Sequence, residues 1–107
     1  MIKIRIKRNA GKVAQVTVSG HAGSAPKGED LICAAVSALA QSYLFSLQRL
    51  LNIQVGTDVR EGYLSLTLPA NLPERTVEDA TLLADSMLIG MDEINRSYPG
   101  FLEVTEE

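Results

Sequence analysis

At 107 residues the chain is close to the commonest size for one domain and long enough to bury a core, so residues 1–107 are expected to form a single domain. Apolar residues make up 46% and charged residues 21%, a balance that excludes a disordered chain, and a net charge of −3 leaves no footprint for direct nucleic-acid binding. No charged-then-apolar leader opens the sequence, and a single cysteine cannot form an internal disulfide, so the expected compartment is the reducing cytoplasm.

Residues 2–8 alternate Ile2, Ile4 and Ile6 with Lys3, Arg5 and Lys7, a period of two that predicts a half-buried strand with its cations on the wet face. Asn9-Ala10-Gly11-Lys12 supplies turn residues, and residues 13–19 resume as a strand with Ala14, Val16 and Val18 on one face. Residues 20–29 hold three glycines, one proline and no apolar period, which predicts a loop. Asp30 is placed to cap a helix running to about residue 51. Its apolar residues fall in two stripes: Ile32, Val36, Leu39, Tyr43, Leu47 and Leu50 form one, and Leu31, Ala35, Ala38 and Phe45 the other. A helix apolar on both sides needs more cover than one sheet provides, so its outer flank is expected to meet a second helix and a second subunit. Residues 31–48 carry no charge, yet Cys33, Ser37, Gln41, Ser42, Ser46 and four alanines make them too polar and too small for a membrane span.

Residues 53–59 and 63–68 predict a second hairpin turning at Arg60-Glu61-Gly62. Thr76-Val77-Glu78-Asp79 resembles a capping box opening a second helix, whose core stripe is Val77, Ala80, Ala84, Met87, Met91 and Ile94. Gly90 within that helix costs about 1 kcal/mol against alanine, which argues for close packing there. Tyr98-Pro99-Gly100 ends the helix, and residues 101–105 form a last short strand. The expected architecture is α+β: a two-layer sandwich in ββαββαβ order, two helices on a mixed or antiparallel sheet.

Chemistry concentrates where the first strand pair meets the first helix. His21 and Cys33 are the only histidine and the only cysteine, twelve positions apart. Cys33 falls in the first helical turn, where amide groups and the helix dipole favour thiolate over thiol. His21 follows a strand end, and strand ends and helix starts share a rim of a two-layer fold. Such a pair suits nucleophilic catalysis, with backbone N–H groups of residues 32–34 as a candidate oxyanion hole. The plainer alternatives are a small core cysteine and a solvated histidine. Asp30 either orients the imidazole or simply caps the helix, and Ser37, one turn below Cys33, either hydrogen-bonds the pair or fills a close helix contact. Paired metal-ligand spacing is lacking, and neither a metal nor any other cofactor is implied.

Gly20-His21-Ala22, then Gly28-Glu29-Asp30-Leu31-Ile32-Cys33-Ala34-Ala35-Val36-Ser37 after a variable stretch, resembles the signature of the ribosomal-processing cysteine protease family, Prp. That signature is Gly-His-Ala, then Asp, two aliphatics, Cys-Ala and a serine four past the cysteine. The resemblance covers the whole length. It implies a cytoplasmic bacterial cysteine endopeptidase with Cys33 as nucleophile and His21 as general base. The implied substrate is the N-terminal extension of large-subunit ribosomal protein twenty-seven, removed in support of ribosome assembly. It also implies a homodimer formed through helices, and a flexible substrate loop to which Gly23, Pro26 and Gly28 are suited. Ser24-Ala25-Pro26-Lys27 lacks the aromatic residue often found there in the family. Two other readings compete with proteolysis: a ribosome-associated binding module with a structural Cys33, and a thiol redox sensor.

Overall fold

The computed structural model describes residues 1–21 and 30–107. Its elements are β1 (Ile2–Asn9), β2 (Lys12–Ser19), α1 (Leu31–Arg49), β3 (Gly56–Arg60), β4 (Tyr63–Thr67), α2 (Glu74–Ser97) and β5 (Leu102–Glu106). The strands form one sheet in the order β3-β4-β2-β1-β5. β1 and β5 run parallel and the other neighbours antiparallel, so the sheet is mixed.

The isoleucine–cation alternation of β1 behaves as its period predicts. Ile2, Ile4 and Ile6 are buried while Lys3, Arg5 and Lys7 are exposed. Val16 and Leu66, their neighbours across the sheet, join the same core, with Val36, Ala40, Tyr43 and Leu47 from α1 and Ala80, Ala84, Met87 and Met91 from α2. Burying a side chain of Leu47's size stabilises the fold by about 1.5–3 kcal/mol, and Leu47 is wholly inaccessible. Tyr43 is buried too; its hydroxyl donates to the Ala80 carbonyl of α2 at 3.3 Å. Burial pushes its phenol well above the ordinary value. Gly90 is the expected close contact: a β-carbon there would lie 3.0 and 3.2 Å from the two methyl carbons of Leu39 on α1.

β2 departs from a simple alternation. Its register against β1 slips between Lys7 and Arg8, so that Arg8 faces Val13 and Ala14 is the extra residue of a bulge. The slip turns Val13 into the core, 3% exposed, and leaves Ala14 half-buried. The Val13 amide donates to the Thr81 hydroxyl of α2 at 3.1 Å, and that hydroxyl donates onward to the Val77 carbonyl at 2.7 Å. Arg8, beside the bulge, meets Asp85 of α2 and Glu106 of β5 at 2.7 Å each. These hydrogen bonds, the one to Asp85 foremost, hold its guanidinium above the usual value.

Two other boundaries differ from expectation. α2 begins at Glu74, with Pro73 as its cap and no side-chain cap bond, so no capping box forms at Thr76. Pro73 at φ −55° already has the φ of a helix entry, and the Val77 amide bonds back to its carbonyl at 3.1 Å. Ile53 is buried but precedes β3. Asn52 at φ +55° turns the chain so that the Ile53 amide reaches the Leu47 carbonyl at 3.0 Å, closing the end of α1. By length and mean hydropathy α1 alone is apolar enough to cross a membrane among the described residues. Its Ile32–Leu47 stripe is instead spent on the core shared with the sheet and α2.

Candidate active site

The β2–β4 ladder ends at the pair Ser19–Tyr63 and is extended one step by the Gly20 amide, which donates to the Gly62 carbonyl at 2.9 Å. Gly20 has φ +91°, and a β-carbon there would collide with the Met1 carbonyl oxygen, so only glycine fits before the histidine. His21 then stands exposed at the strand end. On the other element, Asp30 is the N-cap of α1 with φ −80° and ψ 98°. Its Oδ1 accepts the amides of Ile32 and Cys33 at 3.0 Å each. Cys33 follows, half-buried, and Ser37 is exposed one turn on.

His21, Cys33 and Ser37 all line a single cleft of ≈ 320 Å³ between α1 and the sheet. The only histidine and the only cysteine of the sequence, twelve positions apart, therefore line one space. The bonds from the Ile32 and Cys33 amides support the capping reading of Asp30. Capping also overturns the oxyanion hole expected from residues 32–34. The Ile32 and Cys33 amides are taken by the Asp30 carboxylate, and the Ala34 amide bonds the Asp30 carbonyl at 3.1 Å. Gly23, Pro26 and Gly28 lie outside the described residues. Among the described residues no three histidine, cysteine, aspartate or glutamate side chains gather closely enough to hold a metal ion.

Sequence reasoning missed the opposite wall. The β3–β4 hairpin contributes Val59, Arg60, Gly62 and Tyr63 to the cleft. Arg60 lies over the Tyr63 ring at 4.3 Å from its centroid and pairs with Asp58 at 3.2 Å. Val59 is 67% exposed, an apolar side chain left open beside the cleft. The turn signal at Arg60-Glu61-Gly62 was visible. Its approach to His21 depends on the β2–β4 register, which no local pattern encodes.

A thiol in the first turn of a helix and an imidazole at a strand end, lining one cleft in an α+β sandwich, are the equipment of a cysteine hydrolase. The family model of cysteine protease Prp matches residues 1–103, and the chain belongs to that family of cysteine proteases. It is 31% identical over 108 residues to the ribosomal processing cysteine protease Prp of Bacillus subtilis, covering 98% of this chain and 96% of that protein. The fold is that of the ribosomal processing protease Prp from S. aureus in complex with a covalently linked product peptide, with TM-score 0.88, 23% identity and both chains fully covered. A second structure of the S. aureus protease, in complex with a substrate peptide, matches with TM-score 0.82 at 22% identity, again over both whole chains.

Proposed function

We propose that Cys33 is the nucleophile and His21 the general base of this protease. The carrying observation is that the only thiol and the only imidazole of the chain line the same cleft. In the reaction this supports, the imidazole takes the thiol proton and the Cys33 sulfur attacks the scissile carbonyl carbon. The C–N bond then breaks as the imidazolium gives that proton to the leaving amine, leaving a thioester. His21 next deprotonates a water that attacks the thioester, and the thiolate leaves, reprotonated from the imidazolium. Asp30 holds the helix start that carries Cys33. Ser37 stands on the same wall and is a candidate to contact the bound peptide.

The proposed substrate is the N-terminal extension of the bacterial large-subunit ribosomal protein twenty-seven precursor, cleaved in the cytoplasm where ribosomes are assembled. The name of the Bacillus subtilis relative, a ribosomal processing protease, supports that class of substrate. The proposed assembly is a homodimer through the helices. On the outer flank of α1, Leu31 is 81% exposed and Phe45 43%, apolar area that a second copy would cover.

The test is cleavage of a synthetic peptide copying the extension, followed by mass spectrometry. Cys33→Ala is expected to abolish cleavage while its circular dichroism spectrum matches the parent. Turnover retained by Cys33→Ala would remove the mechanism, and a parent enzyme that leaves the peptide intact would remove the substrate.

A further inference from the structure

The imidazole of His21 rests on a glycine. A β-carbon built at Gly62 would stand 2.9 Å from His21 Nε2, 3.4 Å from Cε1 and 3.6 Å from Cδ2. These three atoms form the outer edge of the ring, so this edge lies directly on the Gly62 backbone. The position is fixed by the turn itself and by a backbone bond to the neighbouring strand. Gly62 has φ +68°, which hairpin turns favour in glycine, and its carbonyl receives the Gly20 amide at 2.9 Å, one residue before His21. Backbone hydrogen bonding therefore sets the distance between the turn and the histidine, and the missing side chain at Gly62 leaves room for the ring.

The geometry points to Gly62 as a positioning residue that seats the His21 imidazole in the cleft it shares with Cys33. This rests on the His21–Cys33 reading above and deepens it by assigning the β3–β4 turn a part in the reaction. A methyl group at Gly62 cannot coexist with the ring at 2.9 Å, because nonbonded carbon and nitrogen need about 3.5 Å. The ring must move by roughly half an ångström or rotate, and displacements of this order at a reacting group cost up to about a hundredfold in rate.

Alanine at a positive φ also strains the turn, and Gly11 separates the two effects. Gly11 sits in the β1–β2 turn at φ +81°, with nothing within 4 Å of a β-carbon built there. Gly11→Ala is expected to lower the melting temperature and leave kcat/KM at the parent value. Gly62→Ala is expected to lower kcat/KM about ten- to a hundredfold while keeping a native circular dichroism spectrum below its melting temperature. The second readout is the rate of Cys33 alkylation by iodoacetamide between pH 5 and 9. Gly62→Ala should move this profile toward that of His21→Ala and should change nothing further when added to His21→Ala. Parental kcat/KM in folded Gly62→Ala, or an equal change of the alkylation profile with and without His21, would overturn the assignment. Full turnover by His21→Ala, with Cys33→Ala inactive, would overturn the dyad itself, an outcome the Gly62 variant alone cannot produce.

Discussion

Replacing Asp30 with alanine removes the oxygen that receives two first-turn amides, from Ile32 and Cys33, at 3.0 Å each. An N-cap of this kind is worth about 1 kcal/mol, and a carboxylate at the positive end of a helix adds about 0.5 kcal/mol more. The expected loss is therefore about 1.5 kcal/mol. With an unfolding entropy of about 2 cal/mol/K per residue over 107 residues, it corresponds to a fall of about 7 °C in Tm. Asp30→Asn keeps an acceptor oxygen in place and gives up only the charge, so its Tm should fall by about 2 °C. Thermal unfolding followed by circular dichroism at pH 7 measures both, and peptide cleavage at 25 °C is read beside it. If the cap is the whole role of Asp30, the asparagine variant keeps turnover near the parent. Asparagine falling as far as alanine in Tm, or losing turnover at near-parent stability, would refute this account.

Leu47→Ala, at a position with no solvent exposure, should cost about 2–5 kcal/mol in chemical denaturation, with the spread set by how far the cavity collapses. Arg8→Met keeps the aliphatic stem but removes the pairs with Asp85 and Glu106. Because those carboxylates are 49% and 53% exposed, the cost should be about 1 kcal/mol, shrinking when unfolding is repeated in 1 M salt. Phe45→Asp, placed on the exposed flank of α1, should convert the proposed homodimer into a monomer in sedimentation-velocity runs; a parent protein that sediments as a monomer would dispose of the dimer.

The elements whose faces are fully committed were legible from their periods. The isoleucines of β1 are buried as expected. Of the two helix stripes, Ile32, Val36, Tyr43, Leu47, Ala80, Ala84, Met87 and Met91 are buried, Leu39, Val77 and Ile94 are half-buried, and Leu50, past the last turn of α1, is exposed. Single-residue events were not legible. The extra residue at Ala14 changes the phase of β2 without changing its composition, so Val13 rather than Ala14 became the core residue. Pro73 outcompeted Thr76 as the start of α2 because a preset φ acts through the backbone, whereas the expected box relied on side chains. At the site, the spacing of His21 and Cys33 suggested a meeting point, and both residues line one cleft. The wall formed by Val59, Arg60, Gly62 and Tyr63 was hidden, since it is assembled by pairing strands more than forty residues apart in the chain.

β1 gains its last neighbour from the far end of the sequence: Ile2 pairs with Leu102, and its amide bonds the Phe101 carbonyl at 2.9 Å. Ile2 is also part of the cleft that holds His21 and Cys33. During synthesis, then, Cys33 emerges early, but the cleft it lines is finished only after β5 has been made and has found β1. Contacts spanning so much chain form slowly compared with helix packing. The cleft is thus completed by pairing between distant parts of the chain, and not by its first half alone.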